Sequence, residues 1–584
     1  MSEPLHSQAL LDHLTFLYGP ERAEPCHARL LAILDEFRQA HPERAGEPAG
    51  ERLSERDVVL ITYGDQVTEP GRPPLQTLAE LLGGRWREVA SAVHILPFYP
   101  YSSDDGFSVV DYLAVDPRLG GWADVARLGA EHRLMFDAVV NHISAESAWF
   151  GAFLRGEPGA ERRFIAMDPA TDLSQVTRPR TTPLLTRFET AQGPRHIWTT
   201  FSADQIDLNF GDPELLLEIV QVLLEYVARG ADLIRLDAIG YLWKEVGTHC
   251  IHLPQTHRIV QLFRSALDIV APGVLLITET NVPHQDNISY FGDGANEAQL
   301  VYQFPLAPLV LDAFATGSAQ HLAEWAAGLA PPSGSTTFFN FLASHDGIGV
   351  VPASGILGSA AIASLAARAE AHGGRVSYKT NPDGSQSPYE LNITLFDALS
   401  DPGDRAEPAE TKLDRFACAN AIMLALQGVP GVYVHSLVGS HNHHAGVEAT
   451  GRARSINREK WDRAALEQGL DDPSSHASQA FARMAGLIAA RRGHPAFHPS
   501  APQRVLAGDE RLFTVLRGAG DALALCLHNI SGQPARFRLD ARDLPELAGR
   551  PLRDLLGSPG AEPITPGSSD IGVGPYGVRW LAAG

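Results

Sequence analysis

The stretch Ala231–Tyr241, ADLIRLDAIGY, constrains this chain more than any other. Its apolar run is too short and too rich in Ile and Leu for an amphipathic helix, so it reads as a buried strand. Side chains alternate across a strand, which puts Leu233, Arg235 and Asp237 on one face and Ile234 and Leu236 on the other. A guanidinium and a carboxylate therefore emerge together at the carboxyl end of a buried element. Charges withdrawn from water are costly unless paired or put to chemical use, so this pair is either a structural ion bridge or part of an active site.

Seven other short apolar runs share that texture. The predicted strands are Val58–Thr62, Ala92–Pro97, Leu134–Val140, Leu233–Ala238, Val274–Glu279, Leu300–Phe304, Phe338–Ala343 and Val432–His435. Helical patterns lie between them, as at Pro213–Arg229, where Asp212 can cap, Pro213 suits the first turn and Gly230 supplies the stop. Parallel strands require crossover helices, so eight alternations predict an α/β fold, a (β/α)8 TIM barrel with insertions. A doubly wound sheet is the competitor, but no G-x-G-x-x-G follows a first strand. Two connections, 144–207 and 347–410, are too long for simple loops, and both leave strand carboxyl ends, so they should overhang the barrel mouth as lids. The barrel is expected to span 56–495. Before it, Leu10–Phe37 has helical spacing and His41–Glu55 reads as a linker, giving a helical extension over 1–55. After it, Arg511–Arg517, Ala522–His528, Ala535–Leu539 and Val578–Leu581 predict an antiparallel β-sandwich over 496–584.

With 47 basic and 69 acidic residues the formal charge is -22, which argues against a general grip on nucleic acid or anionic membrane and makes clustered arginines conspicuous. Cys26, Cys250, Cys418 and Cys526 show no C-x-x-C spacing, so neither a zinc site nor a disulfide framework is expected. The start lacks a basic region leading into an apolar core, and a cytoplasmic protein is the expectation.

In a barrel, the residues that end the strands converge on one mouth. Those are Asp137 with Asn141 and His142, Arg235 with Asp237, Glu279, and His345 with Asp346. Four segments here, VVNH, IRLDAIGY, ITETN and ASHDGIG, resemble the four short conserved regions of the family 13 glycoside hydrolases, the α-amylase group. LITYGDQV, HILPFYPYSSDDGF, RPRTTPLLT, the HLPQTH segment and GVPGVYV are similar to its sucrose phosphorylase subfamily, and the resemblance runs from about Asp57 to the end. It implies Asp237 as nucleophile, Glu279 as general acid/base and Asp346 as transition-state stabiliser. A retaining mechanism wants the first two about 5 Å apart. Glu279 should have a raised pKa, while Asp237 beside Arg235 should stay ionised. The resemblance further implies that Asp104, Phe107, His142, Gln205, Arg235, His345 and Arg454 hold the glucosyl ring. Asp137 alone reads as a structural group bonding nearby backbone. The HNHH run, His441–His444, reads as a solvated loop without acidic partners rather than a metal site, and the resemblance implies no metal at Asn141.

Hydrolysis and phosphorolysis differ in whether water or phosphate completes the reaction. Arg178 and Arg180 in the first lid suit phosphate, and Arg180 matches the subfamily's acceptor-site arginine. Tyr389 and Glu390 match acceptor residues of the second lid, with Glu390 standing where sucrose phosphorylases typically carry Gln. The helical extension, HLPQTH and TNPDGSQSPYELN resemble the members that act on glucosylglycerate, whose anionic leaving group would favour a further cation such as Lys379. Sucrose, sucrose 6'-phosphate and glucosylglycerol remain as alternatives, with simple hydrolysis after them. The expected partners are a small α-glucoside and phosphate, without a cofactor; homodimerisation stays open.

Overall fold

The computed structural model describes residues 3–46, 51–381, 385–539, 542, 544–557, 563–564 and 569–583. Eight parallel strands close into a barrel: β1 (Val59–Thr62), β2 (Ala92–Ile95), β3 (Arg133–Ala138), β4 (Ala231–Leu236), β5 (Leu275–Thr278), β6 (Leu300–Tyr302), β7 (Thr337–Asn340) and β8 (Val429–Tyr433). Their spatial order follows the chain, with β8 returning beside β1. All eight expected strands are present, and seven of them end one to three residues earlier than expected. The earlier ends place Asp237 and Glu279 just past their strands, where their backbone N–H groups still bond the Ala138 and Leu236 carbonyls of the neighbouring strands at 3.2 Å.

Register decides what meets what. On β3 and β4, Asp137 lies directly beside Arg235, and on β5 Ile277 flanks Arg235 from the other side. The helix Pro213–Ala228, which leads into β4, starts where Asp212 accepts from the backbone N–H groups of Glu214 and Leu215, and Gly230 at φ 107° makes the turn into the strand.

The first lid is closed at its base by an antiparallel pair, His142–Ser144 with Gln205–Asp207, and carries a hairpin, Leu185–Thr190 with Gly193–Trp198. The second contains the helix Ser359–Ala371 and a three-stranded sheet in which Gln386–Asn392 lies between Ile348–Gly349 and Arg375–Thr380. Pro382, Asp383 and Gly384 of that lid, like residues 47–50 of the expected linker, lie outside the described residues.

Helices α1 (Glu3–Tyr18) and α2 (Pro20–Ala40) form the expected hairpin and bury Leu10, Leu14, Leu30 and Leu34 in the main core, against the helices Pro213–Ala228 and Pro254–Val270. Tyr18 donates to the Phe210 carbonyl at 2.9 Å. At the other end, Gln503–Val505, Leu512–Ala519, Ala522–Asn529, Val578–Ala583 and Leu552–Asp554 form a five-stranded antiparallel sheet, with Ala535–Leu539 and Ser569–Val573 paired beside it. Three of these strands, Gln503–Val505, Leu552–Asp554 and Ser569–Val573, add to the expected four; each is short or flanked by Gly and Pro, which hides its alternation in the sequence. All four cysteines are buried free thiols, and no helix among the described residues is long and apolar enough to cross a membrane.

Candidate active site

Arg235, 2% exposed, is the hub of the barrel mouth. Its Nη1 donates to Asp137 at 2.5 Å and to Asp237 at 2.8 Å, and its Nη2 lies 3.9 Å from Glu279. Phe107 and Tyr302 both flank the guanidinium, at 5.7 and 5.4 Å from its carbon. Asp137 does more than the backbone bonding expected of it: its second oxygen bonds His94 Nε2 at 2.7 Å, so the carboxylate is clamped between two side chains. Burial alone would raise Asp137, but His94 and Arg235 hold it below the usual carboxylate value. Removing one partner of so deeply buried a pair costs about 3–5 kcal/mol.

Asp237 and Glu279 form a coupled pair. Burial pushes the Asp237 carboxyl well above the ordinary range against the pull of Arg235. Burial also raises Glu279, with Asp346 adding to the effect. Such a pair titrates as one unit. Geometry selects the charged member, because Asp237 receives the guanidinium hydrogen bond while Glu279 accepts only the Ala238 backbone N–H at 3.1 Å. Glu279 is therefore the natural holder of the pair's proton.

Asp346 differs from both. Burial opposes its ionisation, yet Arg454, His345 and Arg458 together hold it far below the usual value. Arg454 Nη1 sits 2.6 Å from Asp346, and the same guanidinium grips Glu390 at 2.6 and 3.2 Å. Both Glu390 oxygens are thus occupied, so Glu390 braces Arg454 and does not stand free for an acceptor, contrary to expectation.

One wall is made by strained backbone. Asp104 and Asp105 adopt left-handed φ values of 54° and 49°, and Gly106 follows at 111°, where a Cβ would come within 2.6 Å of the Pro97 carbonyl. Left-handed non-glycine residues cost roughly 1–3 kcal/mol each and persist where surrounding structure over-determines them. Ala238, directly after Asp237, is a third such residue at 49°. This bent segment delivers Phe107, whose ring stacks on His345 at 4.7 Å and 3°. His142 Nε2 bonds the Phe107 carbonyl at 2.8 Å, and the Gln205 amide donates to the same carbonyl at 3.0 Å and lies 3.5 Å from Asp104. Burial lowers the pKa of both histidines. Asp104, Phe107, His142, Gln205, Arg235, His345 and Arg454 therefore do surround the three carboxylates.

Beyond Glu279 lies a small cavity of about 50 Å³, lined by Pro179, Phe201, Tyr241, His252, Glu279 and Tyr389. Arg180 brings its guanidinium over the Tyr389 ring, 5.8 Å from the centroid, joining the two lids. Tyr241 and Tyr389 each feel both Arg180 and Glu279. Arg178 is not part of this group; it is exposed and donates to the Thr182 carbonyl of its own turn. Lys379 pairs through the backbone with Ser387, nearer the hairpin tip than Tyr389. A wider cavity of about 540 Å³ opens beside Glu51–Leu53, Asp268 and His498, near the amino end of β5 and away from every carboxylate just described.

Several participants escape sequence reasoning. His94 is a polar residue inside the apolar run AVHIL, and that interruption is the one signal of its role. Arg458 donates to the His345 carbonyl at 2.7 Å and pairs with Asp105, four residues beyond Arg454 on the same short turn. Lys244, 3% exposed at its side chain, is held by Asp207 at 2.7 Å and Asn141 at 2.9 Å, tying the base of the first lid to β4's exit. In the HNHH run, His441 has an acidic partner after all, Asp397 at 2.7 Å, because the helix Leu395–Leu399 packs beneath the loop. No cluster with metal-ligand geometry occurs among the described residues.

The α-amylase catalytic domain model matches residues 89–346, the span from β2 to Asp346. A glucosylglycerate phosphorylase of Allomeiothermus silvanus is 55% identical over 90% of this chain and 93% of its own. Another from Escherichia coli is 43% identical over 98% of this chain and all of its own. A sucrose phosphorylase of Agrobacterium vitis is 32% identical over 76% of this chain and 89% of its own. Among solved structures, a sucrose 6F-phosphate phosphorylase from Thermoanaerobacter thermosaccharolyticum superposes with a TM-score of 0.71 at 24% identity, over 81% of this chain and 94% of its own, a likeness of fold. The barrel, the order of its strand-end motifs and these relatives agree: the chain belongs to the α-amylase group of the family 13 glycoside hydrolases, on the branch that holds the glycoside phosphorylases.

Proposed function

We propose that this protein is a retaining α-glucoside phosphorylase that converts glucosylglycerate and inorganic phosphate into α-glucose 1-phosphate and glycerate. Asp237 attacks the anomeric carbon while Glu279 gives its proton to the departing glycerate oxygen, leaving a glucosyl ester on Asp237. Phosphate then attacks that ester, Glu279 takes the phosphate proton, and Asp237 is released as the carboxylate. Asp346, kept ionised by Arg454, His345 and Arg458, stabilises the positive charge that develops on the ring in both steps. Phe107 meets the apolar sugar face, and Asp104, His142, Gln205, His345 and Arg454 bond its hydroxyls.

The observation that carries the reading is Arg180. It is a cation supplied by one lid against Tyr389 of the other, on the acceptor side of Glu279, in a chain whose net charge is -22. Water needs no such group, whereas phosphate and a carboxylate-bearing leaving group both do. The names of the relatives that are 55% and 43% identical support glycerate over fructose as the leaving group. Glucose 1-phosphate is a charged product, retained by the compartment in which it forms, which fits a cytoplasmic enzyme acting on small molecules.

The test is glucose 1-phosphate release, with and without phosphate, from glucosylglycerate, sucrose, sucrose 6'-phosphate and glucosylglycerol. Phosphate-dependent release from glucosylglycerate above all others is expected. Free glucose formed equally without phosphate would mean a hydrolase, and preferential release from sucrose would reassign the acceptor.

A further inference from the structure

The HLPQTH segment brings a histidine to the acceptor cavity by an unusual backbone route. Cys250 and His252 both adopt left-handed φ values, 51° and 53°, within three residues and without a glycine at either position. The result is that His252 lines the cavity beside Glu279, Tyr241 and Tyr389. Gly240, two residues past the strained Ala238, makes room for it, since a Cβ there would meet the imidazole at 3.0 Å. His252 Nδ1 is bonded to the Tyr290 hydroxyl at 2.8 Å, while Nε2 is buried and has no partner. A buried nitrogen left without a partner is a cost that a bound ligand can remove.

The tautomer follows from the network. Tyr290 has no other side-chain hydrogen-bond partner among the described residues, and burial holds its phenol well above the usual value, so it keeps its proton and donates it to Nδ1. Burial lowers His252 to about 4, which leaves the ring neutral with its single hydrogen on Nε2. The orphaned atom is therefore an N–H donor.

We propose that His252 is a specificity-determining residue of the acceptor site, its Nε2–H donating to the carboxylate of glycerate. This rests on the phosphorylase reading above and extends it: Arg180 supplies charge, and His252 supplies a directed neutral donor that Tyr290 holds in orientation.

The experiment runs the reaction toward synthesis with the full chain, using glucose 1-phosphate as donor and either glycerate or glycerol as acceptor. Arsenate-dependent breakdown of glucose 1-phosphate serves as a readout of glucosyl transfer to an inorganic anion, independent of the glycerate carboxylate. For His252→Leu, the KM for glycerate is expected to rise about tenfold or more, with transfer to glycerol and arsenolysis within about twofold of the parent. His252→Gln, which restores an N–H donor, should recover much of the loss, and Tyr290→Phe should give a smaller rise in the same direction. An unchanged KM for glycerate in folded His252→Leu overturns the proposal, as does an equal loss for both acceptors and arsenolysis, which would mean that the residue only shapes the loop. Parent protein that transfers to glycerol but never to glycerate overturns the function reading itself, a result distinct from either.

Discussion

The pocket around Asp237 and the cavity beyond Glu279 meet at one carboxylate and differ in how their charged groups are held. On the Asp237 side, Asp137, His94, Arg235, Asp346, Arg454, Glu390 and Arg458 engage one another, and most of the charges are held by strand ends or by turns packed on them. On the other side, Arg180 touches Tyr389 through its ring face and His252 leaves a nitrogen unpartnered, one on the first lid and the other on the loop after β4. A site that must bind one sugar ring the same way every time can be over-determined. A site that must admit two different anions in turn, the leaving group and then phosphate, is better built from lids whose polar groups still have capacity.

The strongest attempt to break this contrast is Asp237→Asn, which should lower turnover at least about ten-thousandfold while the melting temperature moves little, because Asp137 still holds Arg235. If turnover survived, the arrangement around Arg235 would be structural only. Next, Asp137→Ala should cost about 3–5 kcal/mol in urea unfolding, by stranding a buried arginine. A loss under about 1 kcal/mol would show that the donor side is less tightly determined than its geometry implies. Arg180→Ala sharpens the other half: kcat/KM for phosphate should fall roughly 10- to 100-fold while the glucosyl ester still forms, so the ratio of free glucose to glucose 1-phosphate should climb.

The pH profile distinguishes the shared carboxylates. Burial raises both Asp237 and Glu279, so activity should rise as the pair loses its first proton, from Asp237, and fall as it loses the second, from Glu279. The falling limb should lie above the free-glutamate value of about 4.3, and the residual activity of Glu279→Gln should lack it. The smallest effect is expected from Arg178→Ala, no more than about twofold in kcat/KM for phosphate, since that side chain only ties its own turn.

Legibility in the sequence follows the same division. Barrel strands announce themselves as short apolar runs, and alternation along β4 is enough to place Arg235 and Asp237 on one face. The convergence of Asp237, Glu279 and Asp346 follows from strand ends sharing one mouth. Less is readable where tertiary register or backbone strain decides. Asp137 looks dispensable in the sequence because its partner Arg235 is 98 residues away and becomes adjacent only through β3–β4 register. Glu390 looks like an acceptor ligand until a turn 64 residues on supplies Arg454 to both of its oxygens. The left-handed backbone at Asp104, Asp105 and His252 leaves only a weak signal, since Asp and His enter that region more readily than other non-glycine residues but far less than glycine. Arg178 and Arg180 are alike in sequence, yet one is exposed and bonds its own turn while the other lies over the Tyr389 ring.

The helical hairpin α1–α2 has a consequence for how this chain comes into being. It leaves the ribosome well before the helices that cover its leucines, Pro213–Ala228 and Pro254–Val270, which are synthesised roughly 200 residues later. At about 5–20 residues per second, its apolar face waits for roughly 10–40 s without its final neighbours. During that interval the nascent chain must shield Leu10, Leu14, Leu30 and Leu34 within the hairpin itself or in the hands of a chaperone. Docking then completes only after β4 has been made, so a hairpin translated ahead of the whole barrel finds its place only once half of that barrel exists.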